Sequence, residues 1–196
     1  MNIGKIARKA LGNKLFASVA KRYRRIFVDL DAVADVLASI VPENARILDI
    51  GGGDGAILNQ LMEVRKDITV TMIDLSKAIG NSLNDDIRDR VTVLGGVSIK
   101  EFEERYLSPF NTIIISDVIH HIPLVSRHGF FGEINALCGV ANCPVTVIIK
   151  EFDPKGVISK LGYFSDRFIS GDRTVSFISQ NTLQDQLSEV PQCAFC

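Results

Sequence analysis

Between Ile47 and Gly55 the chain reads Ile47-Leu48-Asp49-Ile50-Gly51-Gly52-Gly53-Asp54-Gly55, an apolar run that gives way to four glycines within five positions. A strand that stops on such a turn presents backbone rather than side chains to whatever lies beyond it, because glycine has no Cβ and reaches positive φ. Parallel α/β sheets bind their ligands at these strand ends. The stretch therefore predicts an architecture and a site together. A functionless glycine-rich connection would carry the entropy cost of these glycines for no gain.

The segments on either side agree with that architecture. Short apolar runs at Arg46–Ile50, Ile68–Ile73, Val91–Leu94, Phe110–Ile115 and Val145–Ile149 read as buried strands. Helical patterns separate them, through Leu58, Leu61 and Met62, over Ser76–Asp86, and over Leu124–Cys138. Strand and helix alternating with short connections predict a doubly wound, mostly parallel α/β sheet with helices on both faces. Upstream, Ile3, Ile6, Leu11, Leu15 and Val19 fall near helical spacing, and a second stripe from Phe27 to Ile40 ends before Pro42. Downstream, Asn181 or Thr182 is placed to cap a last helix, Leu183–Val190.

The 196 residues suit one domain, and 46% hydrophobic with 23% charged residues is a globular composition. No run is apolar enough for a membrane-spanning helix or a secretory signal, so the chain is expected to be cytoplasmic. Cys138, Cys143, Cys193 and Cys196 are too few for a disulfide scaffold and have the wrong spacing for a four-ligand zinc site, so no metal is expected. Charge is segregated along the chain. Eight of the 22 basic residues precede the first acidic one, Asp29, which leaves 14 against all 23 acidic residues in the remainder. That basic arm predicts a lid or steering element for an anionic or membrane-associated partner.

Two ligand classes fit the glycine loop. Gly51-x-Gly53-x-x-Ala56 satisfies a dinucleotide fingerprint, with Asp74 at the end of the next strand where a ribose-binding acid belongs. Asp49, two residues before the first glycine, separates the two classes. A carboxylate there opposes a pyrophosphate but suits the ammonium of a methionine moiety, and a sulfonium cofactor without phosphate also tolerates Asp54.

With these residues in place, the sequence resembles the class I methyltransferase family over about residues 45 to 190. Asp49 to Gly55 is similar to that family's first motif, and Met72-Ile73-Asp74-Leu75-Ser76 to its second, whose acid binds both ribose hydroxyls. Ser116-Asp117-Val118-Ile119-His120-His121-Ile122-Pro123 resembles the segment after the fourth strand of small-molecule methyltransferases, and Val147 to Glu151 the fifth strand. The resemblance implies S-adenosyl-L-methionine as cofactor, held by Asp49, Gly51, Gly53, Gly55, Asp74, Leu75, Gly96, Val97 and Asp117. Residues 1–43 are expected to form a helical extension or lid and 44–196 the cofactor-binding domain.

Two departures from the family pattern stand out. No acid follows the third strand to bind adenine, so backbone groups at Gly96 and Val97 or the Ser98 hydroxyl are expected to replace it. Only six residues follow Val190, so the family's seventh strand is expected to be missing, supplied by a partner or lost to truncation.

His120 and His121 are the candidate catalytic residues, since an imidazole beside the cofactor can serve as general base. The alternative is a histidine that packs or caps. The segment Tyr163 to Arg173, with aromatics and two Asp-Arg pairs, reads either as a specificity loop or as a surface hairpin held by ion pairs. The function expected is methyl transfer to a small-molecule acceptor at oxygen, nitrogen or carbon. A nucleic-acid methyltransferase, favoured by the basic arm, and an inactive binding protein of the same fold are the rivals.

Overall fold

The apolar runs become strands, within two residues of where the sequence places them. The computed structural model describes residues 30–141, 143–151, 182, 183 and 185. Over these, the order is α1 (Leu30–Ile40), β1 (Arg46–Ile50), α2 (Ala56–Val64), β2 (Thr69–Asp74), a 3-10 turn (Asp85–Arg90), β3 (Val91–Gly95), α3 (Ile99–Glu101, continued as a π-turn over Phe102–Tyr106), β4 (Thr112–Ser116), a 3-10 turn (Ile119–His121), α4 (Leu124–Val140) and β5 (Thr146–Lys150).

The five strands form one parallel sheet in the order β3-β2-β1-β4-β5. Chain order reverses at β1, so the carboxyl ends of β1 and β4 flank the topological switch point where such sheets open a crevice. Side chains alternate between two cores. Leu48, Ile50, Ile113 and Ile115 face Phe102 and, from α4, Phe131 and Leu137. Ile47, Met72, Ile114 and Ile148 face Leu37 of α1 and Leu58 and Leu61 of α2. Burial on both faces is why the strands read as continuous apolar runs rather than alternating ones.

Two arginines finish the helices on the α2 side. Arg65 donates to the carbonyls of Ala38, Val41 and Pro42 while Asp67 holds its guanidinium, which satisfies carbonyls at the end of α1. Arg90 does the same for Met62 at the end of α2, and also reaches the carbonyls of Arg65 and Ile68.

One expected helix is not formed. Residues 76–86 run as bends and turns that lead into the 3-10 turn. Their backbone is committed elsewhere: Ser76 N–H donates to the Asp74 carboxylate, Gly80 N–H to the Gly53 carbonyl, and Ser82 N–H to the Asp54 carbonyl. Gly80 sits at φ +69°, outside helical space. The segment thus braces the glycine loop instead of crossing over the sheet as a regular helix. Conversely, the turn of helix from Ile99 to Tyr106, capped by Ser98, has no counterpart among the sequence expectations.

The helix expected over residues 3–23, the segment 163–173, Cys193 and Cys196 lie outside the described residues. Of the expected last helix, Thr182, Leu183 and Asp185 are helical, and Leu183 packs on the Phe131 side of the core. No described helix is long and apolar enough to cross a membrane.

Candidate functional site

A cavity of about 1040 Å³ opens at the carboxyl ends of β1, β2 and β4, where the topology requires it. The glycine loop forms one wall. Gly51, Gly53 and Gly55 take φ of +75°, +56° and +79°, and Gly51 N–H donates to the Ile73 carbonyl, which ties the loop to the end of β2. Gly52 is required for a different reason: a Cβ there would lie 2.2 Å from Asp49 Oδ2 and 2.8 Å from Met72 Cγ. A Cβ on Gly53 would meet nothing nearer than 3.9 Å, so this part of the loop faces open space.

Asp49 is buried in an apolar row. Strand register sets it between Met72 of β2 and Ile114 of β4, with Ile148 next to Ile114. Burial, reinforced by the nearby charge of Asp74, pushes its carboxyl up to about 7. Such a group is poised to ionise when a cation arrives beside it.

Asp74, at the end of β2, is tied down by two backbone donors. Its Oδ2 accepts from Gly53 N–H at 3.1 Å and its Oδ1 from Ser76 N–H at 2.7 Å. Each oxygen keeps a further lone pair for a ligand hydroxyl. Leu75 follows on the cavity wall and is 78% exposed, an apolar surface with little of the protein covering it.

Gly96 and Val97 are placed differently from one another. Val97 and Ser98 line the cavity and Gly96 does not. Both backbone donors are occupied, Gly96 N–H by the carbonyls of Asp74 and Ser76, and Val97 N–H by that of Asp74. The Ser98 hydroxyl accepts from Glu101 N–H as the cap of α3. The N–H donors of this turn are thus spent on closing it onto β2, so its contacts to a base fall to the carbonyl oxygens and the Ser98 hydroxyl.

Past β4, Asp117 takes the left-handed conformation at φ +58° and its Oδ2 pairs with Lys150 Nζ at the end of β5. Burial raises the Asp117 carboxyl, and Lys150 opposes that rise. Asp117 Oδ1 and Ser116 Oγ, both buried at the cavity, have no hydrogen-bond partner among the described residues. In a native site, orphaned polar atoms of this kind mark a place where a ligand or water bonds.

His120 is fully buried, and its Nδ1 lies 2.7 Å from Glu151 Oε2. Glu151 Oε1 accepts from the backbone N–H groups of Val118 and Ile119 at 2.9 and 2.6 Å. A carboxylate fixed in this way requires hydrogen on Nδ1 and makes Nε2 the acceptor of the neutral ring. His121 is exposed and its ring centroid lies 4.1 Å from that of His120. Both line the cavity. Beneath them Arg127, also buried, donates from Nε to the Ile122 carbonyl, and burial lowers its pKa against the pull of Glu151.

Asp117, His120 and Glu151 lie close enough to suggest a metal cluster. Of the atoms such a cluster could use, His120 Nδ1 and Glu151 Oε2 bond one another and Asp117 Oδ2 holds the Lys150 ammonium.

The structure thus brings Asp49, Gly51, Gly53, Asp74, Leu75, Val97, Asp117, His120 and His121 to one cavity, whereas Gly55, buried against Leu83 at the start of α2, does not line it. Sequence reasoning missed the roles of Glu151 and Lys150. The signal was present as two charged residues that close an otherwise apolar strand.

The five-stranded parallel sheet with its ligand cavity at the strand ends is a Rossmann-like α/β architecture. The methyltransferase domain family model matches residues 19–190, and the chain belongs to that family, the class I S-adenosylmethionine methyltransferases. No curated protein matches the sequence.

Similar solved structures include N,N-8-amino-8-demethyl-D-riboflavin dimethyltransferase from Streptomyces davawensis, with TM-score 0.65 and 16% identity over 91% of this chain and 51% of that one. A SAM dependent methyltransferase from Archaeoglobus fulgidus gives TM-score 0.58 and 18% identity over 88% and 73%. A cyclopropane synthase from Mycobacterium tuberculosis gives 0.59 and 14% over 82% and 59%. At these identities the likeness is one of fold. The chain spans about half the length of the riboflavin-derivative enzyme and of several other solved structures it matches.

Proposed function

We propose that this chain binds S-adenosyl-L-methionine at the Asp49 to Gly55 loop and transfers its methyl group to a small-molecule acceptor. The observation that carries the reading is the pairing of Gly53 N–H with Asp74 Oδ2. In a dinucleotide site the loop donors face a pyrophosphate. Here a loop donor faces a carboxylate, and Asp49 and Asp54 add two more acids around the turn. The site suits a cationic ligand without phosphate.

The residues fit that cofactor. Asp49, with Ser116 Oγ and Asp117 Oδ1 close to the same strand ends, would hold the ammonium group; Asp74 would hold the ribose hydroxyls, and Leu75 and Val97 would flank the base. The bound cofactor supplies an electrophilic methyl group. The rest falls to the chain: the apolar row around Asp49 excludes water, and the loop fixes the ligand against the strand ends. His120, its ring oriented by Glu151, would take a proton from the acceptor, with His121 as the exposed alternative.

Replacing Asp74 with Ala tests the reading. S-adenosylhomocysteine affinity is expected to fall by about 1 to 3 kcal/mol, the scale for removing one partner of charge-assisted bonds, in a protein that stays folded. An unchanged dissociation constant in the folded variant would place the ribose elsewhere.

A further inference from the structure

The same cavity extends beyond the cofactor loop along α4. We infer that the wall from Val125 to Glu133 is the acceptor subsite, opened by the missing side chain at Gly129 and shaped for an apolar body carrying a cationic nitrogen. The inference rests on the cofactor reading above and adds the class of acceptor.

Helix α4 has two working faces. Arg127, Phe131, Ile134 and Leu137 are buried against the sheet. Val125, Ser126, Gly129, Phe130 and Glu133 line the cavity instead. That spacing is one stripe along the helix, about 12 Å long at the helical rise. Val125 is 92% exposed, an apolar side chain held out on the wall.

Glycine in the interior of a helix is unfavourable relative to alanine, so its presence at Gly129 calls for a reason. Packing among the described residues does not provide one, since there a Cβ would meet nothing within 4 Å and the residue is exposed. The space above it belongs to the cavity. Gly132, one turn further on, is equally unencumbered and exposed but lies off the cavity wall. The two glycines therefore form a matched pair, alike in helix cost and different in what they face.

Charge sets the acceptor class. Among the described residues lining the cavity, Asp49, Asp54, Asp74, Asp117 and Glu133 are acidic, and none is Lys or Arg. The first three surround the glycine loop and Asp117 is paired with Lys150. Glu133 remains, two turns along α4 from Val125, with no hydrogen bond or ion pair among the described residues. A carboxylate at the end of an apolar wall favours a cationic group on the ligand and disfavours an anionic one.

The test uses 2-naphthylmethylamine and 2-naphthoate as probes, titrated into full-length protein saturated with S-adenosylhomocysteine. The amine is expected to bind about fivefold or more tighter than the acid, the scale of a partly exposed ion pair, and Glu133→Gln should erase that preference. Gly129→Leu should weaken amine binding by about tenfold or more, as filling a ligand's space does, while Gly132→Leu leaves it unchanged and neither alters S-adenosylhomocysteine affinity. Naphthoate binding as tightly as the amine, or the two leucine variants behaving alike, would overturn the inference. Failure of wild-type protein to bind S-adenosylhomocysteine would instead overturn the cofactor reading. The comparison of Gly129 with Gly132 would then be read on cofactor-free protein, where a difference still supports the groove and its absence rejects it.

Discussion

Gly52 and Asp49 are in closer relation than any side chain at position 52 would allow: a Cβ on Gly52 would sit 2.2 Å from Asp49 Oδ2. Asp49 is buried within β1 and Met72 Cγ would lie 2.8 Å from the same Cβ, so Gly52→Ala must displace the loop or these side chains. We expect S-adenosylhomocysteine affinity to fall by about tenfold or more and the melting temperature to drop by several degrees, in line with overpacking costs of about 1 to 3 kcal/mol. Titration and thermal melts of the variant check this, and wild-type affinity would show that the loop does not depend on the contact.

The raised pKa of Asp49 predicts a pH dependence with a definite sign. Its carboxyl is shifted from 3.8 to about 7 in the folded protein, so the native state holds a proton that the unfolded chain has lost. The stability tied to this proton is fully present below pH 3.8 and is lost as pH rises through about 7, amounting to about 4 kcal/mol across the window. Asp67, whose carboxyl Arg65 holds low, acts the other way and weakens the fold only as pH falls below the ordinary carboxylate range. Denaturant melts of cofactor-free protein between pH 4 and 7 should therefore show Asp49→Asn removing a downward slope. A slope identical in wild type and variant would contradict the assignment.

An ammonium ligand beside Asp49 draws the carboxyl back towards ionisation. S-adenosylhomocysteine binding below pH 7 should then release a proton, and affinity should rise as pH climbs from about 6 to 8. Calorimetry in buffers of different ionisation enthalpy measures the released proton directly. Its absence, or its persistence in Asp49→Asn, would place the ammonium away from Asp49.

Glu151→Gln should alter the imidazole of His120 more than the fold. The amide oxygen can still accept from Val118 and Ile119, but the partner of Nδ1 is no longer an obligate acceptor. Nitrogen NMR should show hydrogen on Nδ1 in the wild type and a shift towards Nε2 in the variant, with stability lowered by about 1.5 to 3 kcal/mol at most. Hydrogen on Nε2 in the wild type would contradict the positioning role.

Much of this site is legible in the sequence because local chemistry dictates it. Four glycines after an apolar strand admit few structures, and Asp49 follows from its place two residues before the first glycine and Asp74 from the end of the next strand. The five strands could be read because burial on both faces leaves apolar runs with clear limits. The segment from Ser76 to Asp86 could not, since its helical pattern is overridden by backbone bonds from Ser76, Gly80 and Ser82 to partners such as Gly53 and Asp54, set by tertiary contact. The pairs Lys150 with Asp117 and Glu151 with His120 span about thirty residues in sequence and exist only once β4 and β5 lie side by side. The cavity wall of α4 was hidden for a related reason: its apolar residues serve two faces, so no single periodicity marks either.

The central claim is that the glycine loop holds a cationic sulfur cofactor rather than a dinucleotide. Calorimetric titration of the full chain at pH 8, where Asp49 is ionised, tests it with S-adenosylhomocysteine in one cell and NAD or NADP in another. Saturable one-to-one binding of S-adenosylhomocysteine and no binding of either dinucleotide is expected. Saturable binding of NAD or NADP, with no heat from S-adenosylhomocysteine, would contradict it.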